Sequence, residues 1–322
     1  MSEFAAESRP TPGSGERPRG VIAAIATPVS DRGQPDLGRL MIRAEQLLNS
    51  GCDGLNLLGT TGEATSFSVA QRRAVMVAIA GSGLSLSRMI VGTGAAAVAD
   101  AAELTAEAAA LGFAGALILP PFYYKPIPEA GVFCYIERIV ESTERDPIGL
   151  YLYNFPALTG VAYSPSLVAH LLKNFGERIR GLKDSSGDVA YAREIAAISP
   201  TLDVFPSNEA NLLLARGDGP FAGCISATAN INSFDCARAY KDGDILALAR
   251  AVAIRSIFDG LPLVPAVKSL VAYLEDDEAY SRTLPPLLPL IESEQERLIR
   301  RYRAVGDADF SPTSAPSITP KI

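Results

Sequence analysis

Short apolar segments alternate with longer segments of helical periodicity along most of this chain. Between the apolar segments, apolar residues recur at i, i+3, i+4 and i+7, as in Leu37, Leu40, Met41, Ala44, Leu47 and Leu48, which predicts amphipathic helices. The apolar segments are nearly continuous, as expected for parallel strands covered on both faces. We predict eight such strands, at residues 21–27, 54–58, 89–92, 116–119, 148–153, 179–183, 204–206 and 224–228.

Eight strand and helix units predict an α/β fold of the TIM (β/α)8 barrel class. A doubly wound open sheet is the alternative fold. That fold usually has fewer strands and a Gly-rich turn after the first one, whereas the first strand here ends in Ala26-Thr27-Pro28-Val29.

The helical pattern continues beyond the eighth strand, at residues 245–258, 266–274 and 291–302. We therefore predict a barrel over residues 20–240 and a small C-terminal helical domain over residues 241–305. Residues 1–19 and 306–322 are rich in Pro, Gly, Ser and charge, which predicts a disordered arm and a disordered tail.

The composition favours small molecules as the binding partners of this protein. The 322 residues are 48% hydrophobic and carry a net charge of −7 without a basic stripe, so we expect no nucleic-acid partner. No apolar run approaches the ~18 residues of a membrane span, and residues 1–19 lack the apolar core of a signal peptide. Four scattered cysteines without a CxxC pair suggest reduced thiols and a cytoplasmic location.

The chain contains one histidine, His170, within a helical pattern. A zinc site built on several histidines is thereby excluded, and a Ser-His-Asp triad would have to use His170. We interpret the carboxylates of Glu63, Asp184, Asp188 and Glu209 as helix caps and solvated loop charges rather than metal ligands. No metal and no cofactor is expected. Because the chain has a single histidine, proton transfer falls mainly to Tyr, Lys, carboxylates or bound water.

Lys183 stands where a buried apolar segment runs into the polar turn Asp184-Ser185-Ser186-Gly187. Barrel enzymes place their reacting groups at the carboxyl ends of strands. Burial there disfavours the ammonium form, and a neutral amine is a nucleophile toward ketones. By position alone, a lysine that extends to water is the simpler interpretation.

Two other strand ends carry polar groups that suit the same chemistry. Gly59, Thr60 and Thr61 offer hydroxyls and backbone N–H groups that can bind a carboxylate, although a Gly/Thr turn with a helix cap explains them equally well. Tyr153 ends the fifth strand, so its phenol lies within reach of Lys183 on the sixth.

Four motifs together resemble a known family. The segments GTTGE (59–63), YNFP-x-x-TG (153–160), GLKDSSGD (181–188) and GCISATAN (223–230) are similar to those of the dihydrodipicolinate synthase/N-acetylneuraminate lyase family of class I, Schiff-base aldolases. The resemblance covers about residue 20 to the end of the helical domain, and it does not specify the member.

The resemblance implies roles for the matching residues. Lys183 would form the Schiff base with pyruvate or another 2-oxo acid, and Tyr153 would be the general acid/base. Thr60 would relay protons with Tyr153, and Thr61 would hold the substrate carboxylate. An iminium is an electron sink, so a bond one carbon further out can break without a free carbanion.

The resemblance also implies contacts around these residues. The backbone carbonyl of Ile225 would line the pocket, and Tyr123 would enter the site of a neighbouring subunit in a homotetramer built as a dimer of dimers. Ser207 and Asn208 follow the seventh strand, where family members contact the distal part of the substrate. A turn in which Ser207 or Asn208 caps the helix from Ala210 explains that segment equally well.

One position departs from the synthase pattern. Dihydrodipicolinate synthases have an arginine where this chain has Leu158, and leucine cannot bind a carboxylate. The segment from Lys183 to Asp188 resembles a pattern common among 2-keto-3-deoxy sugar acid aldolases and 4-hydroxy-2-oxoglutarate aldolases. We therefore expect a lyase that cleaves or dehydrates a 2-keto-3-deoxy sugar acid or a 4-hydroxy-2-oxo acid. The alternatives are 4-hydroxy-tetrahydrodipicolinate synthase of lysine biosynthesis, which Leu158 disfavours, and a metabolite-binding barrel without turnover.

Overall fold

Eight parallel strands form a nearly closed barrel, as the sequence predicts. The computed structural model describes residues 17–308 and 310. The strands are β1 Gly20–Ala24, β2 Gly54–Leu57, β3 Met89–Gly92, β4 Gly115–Ile118, β5 Leu150–Asn154, β6 Ile179–Asp184, β7 Asp203–Pro206 and β8 Gly223–Ser226. Each is hydrogen-bonded in parallel to the next along the chain from β1 to β7, and β8 pairs with β1.

The barrel closes between β7 and β8 without a strand ladder among the described residues. One backbone hydrogen bond crosses this seam, from the Ala222 N–H to the Val204 carbonyl at 2.9 Å. Side chains complete the closure. Glu209, after β7, accepts hydrogen bonds from the hydroxyls of Ser226 and Thr228, at the end of β8 and just beyond it.

Helices surround the barrel and extend beyond it. They are α1 Leu37–Asn49, α2 Val69–Ala80, α3 Val98–Leu111, α4 Glu129–Ser142, α5 Pro156–Thr159, α6 Pro165–Phe175, α7 Val189–Ile198, α8 Ala229–Asp242, α9 Ile245–Ser256, α10 Leu263–Glu275 and α11 Glu292–Gly306. The three helices predicted after the eighth strand correspond to α9, α10 and α11. No helix of the described residues is long and apolar enough to cross a bilayer.

Local sequence explains where several helices begin. The side chains of Asp36, Ser68, Ser164, Asp188 and Asp244 accept hydrogen bonds from N–H groups in the first turns of α1, α2, α6, α7 and α9, respectively. At α2 the cap is reciprocal, because Gln71 also bonds the Ser68 N–H. Such caps satisfy N–H groups that lack a partner within the helix.

Side chains fill the barrel interior. Tyr151 is fully buried there, and its ring lies where a Cβ on Gly115 or Gly181 would collide with it, so glycine is required at both positions. Tyr153, Phe205 and Ile225 belong to the same interior cluster. This packing leaves the carboxyl ends of the strands as the place for a site.

The predicted arm and tail fall mostly outside the described residues. Within the arm, Arg17 and Arg19 form ion pairs with Asp203 at the start of β7, at 3.4 and 2.9 Å. The division between barrel and helical domain near residue 240 stays a prediction.

Candidate active site

Tyr153 and Lys183 face each other across neighbouring strands at the carboxyl end of the barrel. They are register partners in the β5–β6 ladder. Each is only 3% exposed, and the Lys183 Nζ lies 4.3 Å from the centroid of the Tyr153 ring. The fold therefore brings together the amine and the phenol that the sequence analysis singled out.

Thr60 joins this pair from the turn that follows β2. Its Oγ1 lies 3.2 Å from the Tyr153 hydroxyl oxygen, within hydrogen-bond distance. The turn begins at Leu58, whose φ of 50° is unusual for a side chain of this kind. Gly92 makes the turn possible, because a Cβ there would come within 2.0 Å of the Leu58 carbonyl oxygen.

Gly59 and Thr61 lie in the same turn, which curls back on itself. The N–H groups of Glu63 and Ala64 bond the carbonyls of Thr60 and Gly59 at 3.0 and 3.3 Å. Gly59 and Thr61 are both buried. Beneath Gly59 lies Asn56, fully buried, whose Oδ1 has no hydrogen-bond partner.

A second polar link joins β5 and β6 one residue further along. The Asn154 Nδ2 donates to Asp184 at 2.8 Å, and Asp184 also accepts from the N–H and hydroxyl of Ser186. Burial raises the pKa of the Asp184 carboxyl, and these three hydrogen bonds oppose the increase. The Asp184 carboxylate therefore bonds groups of the protein itself rather than a ligand.

A cavity of about 250 Å³ opens beside Tyr153 and Thr60, which both line it. Leu58, Gly59, Phe122, Phe155 and Leu158 form much of the remaining wall. Lys183 does not line this cavity, although its Nζ lies against the ring of Tyr153.

The other predicted residues are more dispersed. Ile225 is buried on β8 in the interior cluster that contains Tyr153. The Ser207 N–H bonds the Asp184 carbonyl at 2.9 Å, and Asn208 caps the 3-10 helix Glu209–Ala215 through the Ala210 N–H. Tyr123 is 76% exposed beside Tyr124 and does not meet Lys183 within one chain.

Of the four loop carboxylates considered in the sequence analysis, Asp188 is the helix cap that was expected, at α7. The interpretation as solvated charges was wrong for Glu63, Asp184 and Glu209, which are buried and bonded within the protein. Glu209 is fully buried with Ser226, Thr228 and Arg255 as partners. Within residues 17–308 and 310, no group of three or more His, Cys, Asp or Glu side chains is arranged to hold a metal ion.

The sequence analysis missed the partner of Glu63, the last residue of GTTGE. Glu63 forms a fully buried ion pair with Lys268 of α10 and also accepts from the Leu284 N–H at 2.7 Å. The Lys268 Nζ donates as well to the Thr27 carbonyl at 3.0 Å. Burial lowers the pKa of the Lys268 amine, and Glu63 opposes that decrease. The sequence offered one signal of this ion pair, which is the single lysine, Lys268, among the mostly apolar residues of α10.

His170 is exposed on α6 and stacks on Phe133 with ring centroids 4.6 Å apart, away from the site. Cys52, Cys224 and Cys236 are buried free thiols, and Cys134 is exposed. Burial raises the pKa of the Cys52 thiol to about 12.

The fold is a (β/α)8 barrel with an amine, a phenol and a hydroxyl gathered at its strand ends, and comparison with known proteins identifies its family. The chain belongs to the dihydrodipicolinate synthetase family, whose model matches residues 17–304. It is 34% identical over 295 residues to an uncharacterized DapA-like lyase of Chloroflexus aurantiacus, covering 89% of this chain and 97% of the relative.

Solved structures agree with this assignment. Dihydrodipicolinate synthase from Agrobacterium tumefaciens superposes with a TM-score of 0.82 at 28% identity, covering 89% of this chain and 99% of that one. YagE, a prophage protein of the same family from E. coli K12 solved in complex with pyruvate, gives a TM-score of 0.79 at 26% identity, with 89% and 98% covered. The protein is a lyase of this family, and its substrate is the open question.

Proposed function

We propose that this protein is a class I lyase in which Lys183 forms a Schiff base with pyruvate or another 2-oxo acid. Its reaction is the cleavage or dehydration of a 2-keto-3-deoxy sugar acid or a 4-hydroxy-2-oxo acid. The observation that carries the proposal is the contact of the Lys183 amine with the Tyr153 ring, beside the Tyr153–Thr60 hydrogen bond. The pyruvate complex of the E. coli relative supports a 2-oxo acid as substrate.

The chemistry follows from these three groups. The amine adds to C2 of the 2-oxo acid, and the carbonyl oxygen leaves as water. The resulting iminium accepts the electrons of the C3–C4 bond when the C4 hydroxyl loses its proton, which releases an aldehyde and leaves an enamine. Tyr153, hydrogen-bonded to Thr60, carries this proton, a contribution typically worth about 10²- to 10⁴-fold in rate.

The Gly59–Thr61 turn supplies the carboxylate site in this proposal. A fixed carboxylate orients the C3–C4 bond relative to the iminium plane, and such positioning accounts for a large part of many enzymatic rate enhancements. Hydroxyl and N–H donors in the buried turn support this role for Thr61.

Borohydride trapping tests the Schiff base directly. Reduction in the presence of pyruvate should attach a stable adduct to Lys183, detected by peptide mass spectrometry, and Lys183→Ala should form none. Lys173→Ala, which alters an exposed lysine on α6, is the matched control and should trap normally. An adduct on another lysine, or no adduct with any 2-oxo acid, would refute the proposal.

Lysine biosynthesis is the second candidate, because a dihydrodipicolinate synthase is among the similar structures. Leu158 stands against it. The side chain is 64% exposed at the cavity and offers no charge to a second carboxylate. Turnover of aspartate semialdehyde with pyruvate, at a rate above that for other aldehydes, would favour this candidate.

We also propose that Tyr123 completes the site of a second copy of the chain, in a homotetramer. Two adjacent tyrosines, each more than three-quarters exposed, support a protein contact at this loop. Light scattering measures the assembly. Tyr123→Ser should lower kcat while pyruvate trapping on Lys183 persists, and an unchanged kcat would argue against the role.

A further inference from the structure

A second cleft opens where β5 and β6 begin, at the end of the barrel opposite to the candidate active site. This amino-terminal cleft measures about 220 Å³. Its lining includes two arginines, Arg178 and Arg180, one acidic residue, Glu177, and the apolar side chains of Ile148 and Phe175. Because two guanidinium groups stand against one carboxylate, the wall carries a net positive charge.

A bulge in β6 places Arg180 at this cleft. The β5–β6 ladder pairs Leu150 with Ile179. The following residue of β5, Tyr151, pairs with Gly181 rather than with Arg180. Arg180 is therefore an additional residue in β6, and its side chain departs from the alternation of the strand. Bulges of this kind are common at the rims of barrels and beside functional sites, where they redirect a side chain.

The side chain of Arg180 extends over Gly149 at the rim of the barrel. A Cβ on Gly149 would come within 2.2 Å of the Arg180 Cγ, so glycine is required at this position. The Arg180 Nε donates to the Glu177 carbonyl at 3.2 Å. Gly149 and Tyr151 point to the same side of β5, because side chains alternate along a strand. Arg180 therefore lies beside Tyr151 in the amino-terminal opening of the barrel.

Arg178 lines the same cleft, and its hydrogen bonds go to neutral groups. The Nε donates to the Ile148 carbonyl at 3.1 Å, and the Nη2 donates to the Thr143 hydroxyl. No carboxylate of the described residues forms an ion pair with Arg178. Burial lowers the pKa of its guanidinium, Glu144 opposes this decrease, and the like charge of Arg180 adds to it. An anion between the two arginines would relieve this repulsion.

A buried donor without a partner lies at the same opening. Tyr151 is fully buried, and its hydroxyl has no hydrogen-bond partner among the described residues. Burial raises the pKa of this hydroxyl, and Asp203 adds to the increase. Arg180, Arg17 and Arg19 oppose the increase, so the hydroxyl lies close to the charged groups of the amino-terminal end. A phenol donates a hydrogen bond to an oxyanion, which would satisfy this buried group.

We propose that the amino-terminal cleft binds a phosphate group between Arg178 and Arg180. Guanidinium groups bind phosphate oxygens through paired N–H donors, and two of them balance the charge of a dianion. The Tyr151 hydroxyl supplies a further donor. The apolar side chains of Ile148 and Phe175 leave room beside the two arginines for a small group esterified to the phosphate.

This site is separate from the proposed Schiff-base chemistry. Lys183 follows Arg180 by three residues along β6, which is roughly 10 Å at the rise of an extended strand. The inference therefore does not rest on the proposed function, and pyruvate trapping on Lys183 is independent of its outcome.

Calorimetric titration of the full-length protein with inorganic phosphate, at constant ionic strength, tests the site. The unmodified protein should bind one phosphate per chain, and Arg178→Gln should lower the affinity at least about tenfold, because a charge-assisted pair of hydrogen bonds is lost. Tyr151→Phe removes the hydroxyl alone and should lower the affinity several-fold. Absence of binding to the unmodified protein, displacement of phosphate by equimolar chloride, or an unchanged affinity in Arg178→Gln would overturn the inference.

Two controls locate the bound phosphate. Arg193→Gln alters an exposed arginine of α7 outside the cleft and should bind phosphate like the unmodified protein. Lys183→Ala should also bind it unchanged. Loss of binding in Lys183→Ala but not in Arg178→Gln would place the phosphate in the candidate active site and refute the inference. Arg178→Lys keeps the charge without the paired donors, so its affinity should fall between those of the unmodified protein and Arg178→Gln.

Phenyl phosphate distinguishes the two sources of a phosphate group. Tighter binding than that of inorganic phosphate would indicate a phosphate ester, because Ile148 and Phe175 would contact the ring. Weaker binding would indicate the free ion. Either order supports the site, whereas failure of both compounds to bind refutes it.

Discussion

Replacing Lys268 by methionine removes the cation of the buried ion pair with Glu63 while keeping most of the apolar stem. Both side chains are essentially inaccessible, at 1% and 0% exposure. The Glu63 carboxylate would keep its bond from the Leu284 N–H but lose its counter-ion. Breaking a buried pair by removing one partner typically costs about 3–5 kcal/mol. We expect the free energy of unfolding of Lys268→Met to fall by about that amount.

Urea unfolding followed by circular dichroism measures this change, with the midpoint and slope compared to those of the unmodified protein. The double variant Lys268→Met/Glu63→Gln should recover much of the loss, because it leaves no unpaired charge. Arg138→Met is the matched control. Its ion pair with Glu141 is exposed, and such pairs contribute about 1 kcal/mol or less.

The Lys268→Met variant should also affect the candidate active site. Glu63 ends the turn that contains Thr60 and Thr61 and adopts a left-handed conformation with φ of 54°. Loss of its partner should loosen that turn and raise KM for pyruvate. A loss of less than about 1 kcal/mol in Lys268→Met, with KM unchanged, would show that the pair behaves like an exposed one and refute the reasoning.

Three further predictions concern the site and its surroundings. Tyr153→Phe should retain pyruvate trapping but lose about 10²- to 10⁴-fold in kcat, and an undiminished kcat would remove Tyr153 from proton transfer. Asn154→Ala removes one hydrogen-bond donor from buried Asp184 and should lower the free energy of unfolding, measured by urea titration, by about 1–3 kcal/mol. An unchanged free energy of unfolding would show that the two hydrogen bonds from Ser186 are enough to stabilise the Asp184 carboxylate. In the native protein a thiol reagent at neutral pH should modify Cys134 rapidly and Cys52 slowly, since burial raises the pKa of the Cys52 thiol to about 12. Equal rates would show that the barrel opens readily.

The barrel was predictable because its strands are mostly apolar and nearly continuous, a pattern that depends only on local sequence. Strand ends were less predictable. The first strand was expected to reach residue 27 but ends at Ala24. The Ile25 N–H still bonds the Asn56 carbonyl of β2, and beyond it side chains replace the strand hydrogen bonds. Asn230 bonds the Ala24 carbonyl and the Ala26 N–H, and Lys268 bonds the Thr27 carbonyl. Those partners lie more than 200 residues away, so no local pattern reveals them.

The candidate site likewise has features that the sequence revealed and features that it did not. Lys183 and Tyr153 end adjacent strands, and strand order alone brings them together. The cavity was not foreseen, because its wall combines residues of several loops whose paths sequence periodicity does not define. Leu158 was recognised as a departure from the synthase pattern, but its place on the cavity wall required the structure.

The seam between β7 and β8 changes how the cylinder carries mechanical strain. Elsewhere, rows of backbone hydrogen bonds join neighbouring strands, but here one backbone hydrogen bond and the fully buried carboxylate of Glu209, which accepts from two hydroxyls, join the two strands. This seam lies one strand away from β6, which carries Lys183. Loss of the Glu209 carboxylate should therefore loosen the barrel wall on the side of Lys183 rather than on the far side.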